Sequence, residues 1–218
     1  MWSSYHIYTE DRNYFLDKVS DILKEYPDVK FFFIQYIDPI GFHFRFRIQS
    51  RFQSKIEKMI YKLFEEQRVL KKIYDPEYNL FGSSLGIYEE FSIELSRFII
   101  ENKNIDSSTF VLPLSKNILQ IFNCLNSEFI DTYINYWAKT VKRFNREDLN
   151  TQINFSKNDE KNQSHDLSIV LKPLSILEEK YVNESICIKF LHMALNKLGY
   201  TLMDEMLIVK KIKQSILV

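Results

Sequence analysis

The segment FHFRFRIQ, residues 42–49, holds the densest group of side chains that could do chemistry. Large apolar residues alternate along it with His43, Arg45 and Arg47, which is the pattern of a strand with one face in a core. Side chains on one face of a strand lie about 7 Å apart, so a single extended anion could contact all three. The planar guanidinium group suits carboxylates and phosphates. The alternative interpretation is an ordinary solvated strand face.

A second group of polar residues lies in YDPEYNLFGSS, residues 74–84. Glu77 is a candidate base or arginine partner, unless it is simply exposed. Gly82 suits a tight turn, and Ser83 or Ser84 suits the N-cap of a following helix. Capping alone would account for both serines.

His192 is the natural proton-transfer group of the chain. On a helix, His192 and Asn196 are four residues apart and share a face, and an imidazole titrates near neutral pH. The apolar neighbours Leu191 and Met193 fit equally well with a structural histidine that is half-buried and hydrogen-bonded. The sequence contains no His-Glu-x-x-His or Gly-x-Ser-x-Gly element, which argues against the common hydrolase motifs.

The first third of the chain predicts the elements that would position these residues. Its patterns follow the order β-α-β-β-α-β, which is that of a ferredoxin-like sandwich, with one antiparallel sheet and two helices on one face. The predicted fold class is therefore α+β. The predicted strands are residues 2–9, 30–38, 42–49 and 71–75, and the predicted helices are residues 11–26 and 55–67.

The remainder of the chain is predicted to be mostly helical. A polar stretch at residues 145–164 predicts an exposed loop. We expect a ferredoxin-like portion over residues 1–84 and a helical portion over residues 85–218, packed together as one integrated domain. The helical patterns cover residues 85–102, 115–125, 128–144, 165–181, 185–198 and 203–212.

Composition narrows the functional classes. The chain has 218 residues, a formal net charge of zero and only four glycines, which excludes glycine-rich phosphate loops and disfavours nucleic-acid binding. The two cysteines are far apart and predict buried apolar residues, not a zinc or redox motif. The patterns show neither a signal peptide nor a membrane span, so a soluble cytoplasmic protein is expected. No metal site and no organic cofactor is predicted.

Five segments together resemble the C-terminal, glutamate-elimination region of lantibiotic dehydratases and its stand-alone relatives in thiopeptide biosynthesis. That family opens with a tryptophan and a histidine-bearing strand. It continues with Phe-Phe-Ile-Arg-Tyr-x-Asp-Pro, His-x-Arg-x-Arg, Tyr-x-x-Glu-x-x-Arg-Tyr-Gly-Gly and His-Met-x-x-Asn-Arg. The corresponding segments here are WSSYH (residues 2–6), FFIQYIDP (32–39), HFRFR (43–47), YDPEYNLFGS (74–83) and HMALNK (192–197).

The resemblance implies both a reaction and a set of catalytic residues. In eliminating members, glutamate is first attached to a Ser or Thr of a peptide. The domain then removes the α-proton and expels glutamate, which leaves dehydroalanine or dehydrobutyrine. By resemblance, Arg45 and Arg47 handle glutamate, Glu77 belongs to the same catalytic site, and His192 transfers the proton.

Departures from the family pattern change the leading expectation. Leu80 stands where eliminating members have an arginine, and a leucine cannot bind a carboxylate. Gln35 and Lys197 also replace arginines, and Ser83 replaces a glycine. Another branch of the family, the pyridine synthases, needs no glutamate site. Its members join two dehydroalanines in a formal [4+2] cycloaddition with loss of water and the leader peptide, and this macrocyclisation is the leading expectation.

Two alternatives stay open. One is a split-dehydratase subunit that eliminates glutamate and requires a separate glutamylating partner. The other is a non-catalytic scaffold that binds a leader peptide. Each alternative implies a ribosomally made precursor peptide as partner, with its leader on the ferredoxin-like part, and a homodimer is a further option. The expected peptide-binding residues are Tyr5, Tyr36, His43, Tyr78 and Asn196.

Overall fold

The fold is an α+β arrangement in which a four-stranded sheet is followed along the chain by a run of helices. The computed structural model describes residues 2–76, 78–143 and 166–217. The predicted polar loop at residues 145–164 lies outside the described residues, as does Glu77. The predicted α+β fold class is confirmed.

The sheet has the topology that the sequence predicts. Its strands are β1 Ser3–Tyr8, β2 Lys30–Asp38, β3 Gly41–Gln49 and β4 Arg68–Lys72. The strand order is β2-β3-β1-β4, and each neighbouring pair is antiparallel. Helix α1 (Arg12–Glu25) connects β1 to β2, and helix α2 (Gln53–Leu63) connects β3 to β4. This is the β-α-β-β-α-β order of a ferredoxin-like sandwich.

One face of the sheet packs its aromatic side chains against α1 and α2. Asp11 caps α1 by accepting a hydrogen bond from the backbone N–H of Tyr14 at 2.9 Å, as its position in the sequence predicts. The ring of Phe15 on α1 stacks on Phe44 of β3, with 4.0 Å between the ring centroids. Both rings are fully buried. The apolar half of the alternating strand is therefore a core face, as predicted.

The last strand lies earlier in the chain than its local pattern predicts. Strand β4 covers Arg68–Lys72, whereas the sequence predicts residues 71–75. Its backbone pairs with β1 over that whole range, and pairing with a neighbour outweighs local propensity in setting where a strand lies. Ile73, which the prediction places inside the strand, follows it and is 94% exposed.

The rest of the described chain is mostly helical, as predicted. The helices are α3 Tyr78–Phe81, α4 Leu85–Glu101, α5 Ser108–Ile121, α6 Ser127–Arg143, α7 Ser168–Leu171, α8 Glu184–Leu198 and α9 Leu202–Ile216. A 3₁₀ turn at Gly82–Ser84 joins α3 to α4, and Gly82 has a φ of +53°, which glycine adopts without strain. Ser84 donates its hydroxyl to the Phe81 carbonyl at 2.6 Å, a turn contact where a helix cap is predicted.

Two predicted helices differ from the observed ones, and each has a proline in the region of the difference. Helix α5 begins at Ser108 and contains Pro113, whereas the pattern predicts residues 115–125. Buried Phe110 and Val111 hold the turn before the proline, because packing outweighs the lost hydrogen bond. The long helix predicted over residues 165–181 is wrong.

In that second region the chain forms α7 and two short 3₁₀ segments, Lys172–Ile176 and Glu179–Tyr181. Pro173 lies at the start of the first 3₁₀ segment. A proline there removes an N–H and crowds the preceding turn, so the α-helical pattern does not continue.

The described residues form two compact units. The sheet unit comprises Met1–Glu77 and Ser92–Asn104, and the helical unit comprises Tyr78–Phe91 and Ile105–Val218. The predicted division into residues 1–84 and 85–218 stays a prediction. Within the described part of the chain, none of the helices has the length and apolar character needed to cross a membrane.

Candidate active site

The sheet face opposite the aromatic core carries the histidine and the arginines of β3. Strand pairing places Tyr36 of β2 opposite His43, and His6 of β1 opposite Arg45. Directly opposed residues of antiparallel strands point to the same side of the sheet, so polar side chains of three strands meet here. Arg47 completes the row. We call the surface formed by His6, Tyr36, His43, Arg45 and Arg47 the His–Arg face.

The His–Arg face differs from an ordinary solvated strand face. His43 is 0% exposed and Arg47 is 2% exposed, while His6 and Arg45 are half-buried. The solvated-face interpretation is therefore wrong for the first two residues. Removing a charged or polar side chain from water is costly unless new contacts compensate.

Aromatic rings supply compensating contacts for both arginines. The guanidinium carbon of Arg47 lies 5.1 Å from the ring centroids of both Phe32 and Tyr74. That of Arg45 lies 3.4 Å from the ring centroid of Tyr36. Such contacts stabilise a cation without neutralising it. Arg45 is partly exposed, so its guanidinium keeps the capacity to bind an anion.

Two histidine rings stack on the same face. The centroids of His6 and His43 are 4.7 Å apart and their planes differ by 21°. Burial, helped by His43 and Arg45, lowers the pKa of His6 to about 4. Burial also lowers the pKa of His43. Both imidazoles are therefore neutral at pH 7.

Asp38 lies at the end of β2 and connects the β2–β3 turn to β1. One of its carboxylate oxygens accepts hydrogen bonds from the N–H groups of Ile40 and Gly41 at 2.8 and 3.1 Å. The other accepts a hydrogen bond from the Tyr8 hydroxyl at 2.9 Å and lies 3.8 Å from His43 Nδ1. Desolvation raises the pKa of Asp38, but the hydrogen bonds from Tyr8 and the two N–H groups outweigh it, so the pKa is lowered.

The other predicted tyrosines lie in different surroundings. Tyr5 is on the helix-covered face, fully buried, with its ring centroid 6.4 Å from that of Tyr61. Burial raises the pKa of Tyr5, and the structure does not bring Tyr5 together with the arginines. Tyr36 and Tyr78 are 44% and 62% exposed, so both side chains can meet a ligand from solvent.

In the helical unit, His192 has a carboxylate partner. His192 lies on α8, and its Nδ1 is 2.9 and 3.1 Å from the two carboxylate oxygens of Glu205 on α9. Gly199 ends α8 with a φ of +95°. A capping box between Thr201 and Asp204 begins α9 directly afterwards. This short connection turns the chain back, and Glu205 consequently comes beside His192.

Glu205 receives a second hydrogen bond from the interior of the helical unit. It is 0% exposed, and Tyr133 of α6 donates its hydroxyl to it at 2.8 Å. Burial and the Glu205 carboxylate raise the pKa of Tyr133, so the phenol keeps its proton and remains a donor. With these two donors, each oxygen of the buried carboxylate has a hydrogen-bond partner.

The contact with Glu205 determines which nitrogen of His192 can transfer a proton. When Nδ1 donates its proton to Glu205, Nε2 is left with the lone pair and can take up or release a proton. The ring of Trp137 lies 4.3 Å from the imidazole and restricts its orientation. The His192 side chain is 27% exposed, so a substrate can reach it.

Sequence reasoning named His192 as a candidate but did not name its neighbours Glu205, Tyr133 and Trp137. Glu205 did carry a signal, because Ile208 lies three residues further along the same helix and is buried, which puts the glutamate on the apolar stripe. A carboxylate on a buried stripe needs a donor. Tyr133 lies 72 residues from Glu205 and carried no comparable signal.

Asn196 lies one turn beyond His192 on α8 and is half-buried. The residue after it, Lys197, is fully buried, with Nζ 5.8 Å from the ring centroid of Tyr88. The predicted pairing of His192 and Asn196 on one helix is thus present in the structure, while the lysine at the family's arginine position lies in the interior.

These features define a class of protein: a ferredoxin-like sheet with a cationic face, joined to a helical region that holds an imidazole–carboxylate pair. The chain belongs to the family described as "Lantibiotic biosynthesis dehydratase C-term", whose model matches residues 2–216. The family expected from the five sequence segments is therefore confirmed.

The fold matches part of a known structure. The crystal structure of the tRNA-dependent lantibiotic dehydratase MibB from Microbispora sp. 107891 is similar, with a TM-score of 0.62 and 13% sequence identity. The match covers 99% of this chain and 28% of that chain. This chain thus spans well under half the length of MibB, and at this identity the likeness establishes the fold. No curated protein matches the chain.

Proposed function

We propose that this chain is an enzyme that modifies a ribosomally made precursor peptide by transferring protons at His192. The observation that carries the proposal is the buried Glu205 carboxylate, 2.9 Å from His192 Nδ1. Burying a carboxylate costs several kcal/mol before its partners compensate. A scaffold that only binds a peptide has no need to orient a partly exposed imidazole in this way. Membership of the dehydratase family supports a peptide as the substrate.

The reaction we propose is pyridine formation from two dehydroalanines of the peptide. One dehydroalanine must first take its imidic-acid form, in which a proton has moved from the amide nitrogen to the oxygen. After the formal [4+2] cycloaddition, loss of water requires protonation of the leaving oxygen. Loss of the leader requires a proton on the leaving nitrogen and removal of one from the ring. An oriented imidazole can carry out such transfers.

The arginines favour this reaction over glutamate elimination. Arg47 is 2% exposed and lies among aromatic rings, so its charge is not open to a carboxylate of a ligand. Leu80 replaces an arginine of the eliminating members, and Lys197, which replaces another, is fully buried. Elimination must stabilise the free carboxylate of the glutamyl ester and the carboxylate that leaves, and none of these three positions offers an available cation for that.

Glutamate elimination is the second candidate, and Arg45 is the observation that favours it. Arg45 is half-buried, lies over the Tyr36 ring at 3.4 Å, and has a buried Nε without a hydrogen-bond partner among the described residues. A ligand carboxylate could bind the partly exposed guanidinium group. This reaction would also require a separate partner that attaches glutamate to the peptide.

Two synthetic peptide substrates can distinguish pyridine formation, glutamate elimination and a scaffold that only binds peptide. The purified chain is mixed with a precursor peptide that already contains two dehydroalanines, and in parallel with a glutamylated peptide. Mass spectrometry is expected to show a pyridine-containing ring and free leader peptide in the first mixture. Glutamate release in the second mixture alone would assign elimination, and peptide binding without either product would assign a scaffold.

The role of His192 has its own test. We expect His192→Ala to lower product formation by at least about 100-fold, the range of general acid–base catalysis. Tyr136→Phe is the matched control, because Tyr136 lies on α6 and is 52% exposed. Circular dichroism would confirm that both variants fold. Full turnover by folded His192→Ala would contradict the proposed role.

A further inference from the structure

We propose that His6, Asp38 and His43 form a binding site for one divalent transition-metal ion. Each residue offers one ligand atom, and these atoms all lie within 4.8 Å of one another. Ligand atoms around one zinc-sized ion are about 3–4 Å apart, so the three side chains must move closer together to coordinate an ion. The site lies in the sheet unit and does not depend on the reaction proposed for His192.

Strand pairing builds this cluster from three places in the chain. His6 is on β1, Asp38 ends β2 and His43 is on β3. The two imidazole rings are nearly parallel, with 4.7 Å between centroids, so the rings are neighbours but must rotate before a nitrogen of each points at the same ion. No local motif spans these positions, which explains why residue spacing alone predicts no metal site.

His43 is held in the manner of a metal ligand. The residue is fully buried, and its Nδ1 lies 3.2 Å from the carbonyl oxygen of Gly41. Nε2 is buried and has no hydrogen-bond partner among the described residues. Nδ1 is also the nitrogen that lies 3.8 Å from the Asp38 carboxylate. Either Nδ1 coordinates the ion in place of its Gly41 contact, or the ring turns to direct the open lone pair of Nε2 there. Left unpartnered, that buried nitrogen would be a cost.

Asp38 is supported in the same manner. The Tyr8 hydroxyl donates to one carboxylate oxygen at 2.9 Å, and the N–H groups of Ile40 and Gly41 donate to the other at 2.8 and 3.1 Å. These bonds fix the carboxylate and leave lone pairs for an ion. Asp38 and His6 are partly exposed, so an ion can enter and water can complete its coordination.

The donor set selects the kind of ion. Two imidazoles and one carboxylate suit Zn²⁺, Co²⁺ or Ni²⁺, whereas Mg²⁺ and Ca²⁺ require mainly oxygen ligands. Arg45 is the strand partner of His6, and its positive charge opposes the ion. We therefore expect weaker binding than in closed structural zinc sites, with a clear preference for zinc-like ions over Mg²⁺.

The experiment uses the full chain without a histidine tag, freed of metal with a chelator. Zn²⁺ is titrated by calorimetry, Co²⁺ binding is followed by visible absorption, and thermal unfolding is recorded with and without Zn²⁺. We expect about one ion per chain, a Co²⁺ spectrum without thiolate charge transfer, and a higher Tm with Zn²⁺, because the ion binds only the folded chain.

Variants locate the ion. His6→Ala and Asp38→Asn change partly exposed residues and are expected to weaken Zn²⁺ binding by more than about 100-fold, while Tyr8→Phe, which removes only a supporting hydrogen bond, should weaken it about 10-fold. His192→Ala is the control and should bind as the unmodified chain does. Failure of the unmodified chain to bind Zn²⁺ or Co²⁺, or unchanged binding by folded His6→Ala, would overturn the proposal.

Discussion

The sheet unit and the helical unit hold their polar groups in different ways. In the sheet unit, aromatic rings contact the guanidinium carbons of Arg45 and Arg47, at 3.4 and 5.1 Å from the ring centroids. In the helical unit, the buried Glu205 carboxylate accepts hydrogen bonds from His192 and Tyr133. A ring stabilises a cation without fixing any proton, whereas a hydrogen-bonded carboxylate decides which imidazole nitrogen bears one.

The difference suits the two units to different tasks. Both ring-contacted cations keep their charge, and the partly exposed Arg45 can attract an anion or an electron-rich peptide group. The imidazole of His192, oriented from one side, is suited to moving a proton at its other nitrogen. Substitutions in each unit can test this difference, and the first of them change the core packing that positions the arginines and the His192–Glu205 pair.

The largest expected loss of stability follows the removal of a buried phenylalanine from the core of either unit. Phe44→Ala in the sheet unit and Phe190→Ala in the helical unit each remove a fully buried ring. Each should lower the free energy of unfolding by about 3–5 kcal/mol, through lost burial and the cavity left behind. Chemical denaturation measures the change. Phe52→Ala is the control, because Phe52 is 40% exposed, and an equal loss in it would contradict the role of burial.

The carboxylate partner of His192 comes next. Glu205→Gln keeps the shape but removes the charge that holds the Nδ1 proton. We expect a loss in turnover of about 100-fold, which is about 2.7 kcal/mol. Glu128→Gln makes the same change at an exposed glutamate of α6 and should have no effect. Unchanged turnover in a folded Glu205→Gln variant would remove the positioning role.

Replacing the two arginines should reduce stability by different amounts, because Arg47 is buried and Arg45 is partly exposed. Arg47→Ala removes a buried cation from between two rings and should lower stability by about 2 kcal/mol or more, whereas Arg45→Ala at a partly exposed site should cost about 0.5–1 kcal/mol. Thermal and chemical unfolding measure both losses. A larger loss of stability in Arg45→Ala than in Arg47→Ala would contradict the view that Arg47 contributes more to stability because it is buried.

The smallest effect is expected for a surface ion pair of the helical unit. Lys213 Nζ lies 2.6 Å from Asp131, with side chains 27% and 56% exposed. Solvent screens such pairs, so Lys213→Ala should change stability by less than about 1 kcal/mol. A chemical denaturation curve with and without added salt checks this. A loss comparable to that of Arg47→Ala would show that this pair is not screened.

The parts of the fold that rest on short-range pattern could be predicted from the sequence. The alternation in β3 gives its two faces because side chains on a strand repeat every second residue. Asp11 marks the start of α1 because its carboxylate can cap a helix only there. Strand β4 shifted because its bounds depend on pairing with β1, and α5 extends past Pro113 because buried neighbours hold it.

The candidate sites were less predictable, since their partners come together only through the fold. His192 and Glu205 are 13 residues apart on separate helices, and the turn between them sets their contact. His6 and His43 meet because β1 pairs with β3. Local periodicity can place Glu205 on a buried stripe but does not name its partner, and it gives no sign of the contact between His6 and His43. The family resemblance, in contrast, rests on short segments that can be matched directly.

The hydrogen bonds of Asp38 give the sheet unit a built-in indicator. One carboxylate oxygen faces Tyr8 and the other faces the backbone amides of Ile40 and Gly41. An ion bound to the carboxylate would change its hydrogen bonds to those amides, in a turn where Ile40 is 50% exposed. The amide NMR resonances of Ile40 and Gly41 would therefore report the binding of an ion to the Asp38 side chain. No dye needs to be attached to the protein.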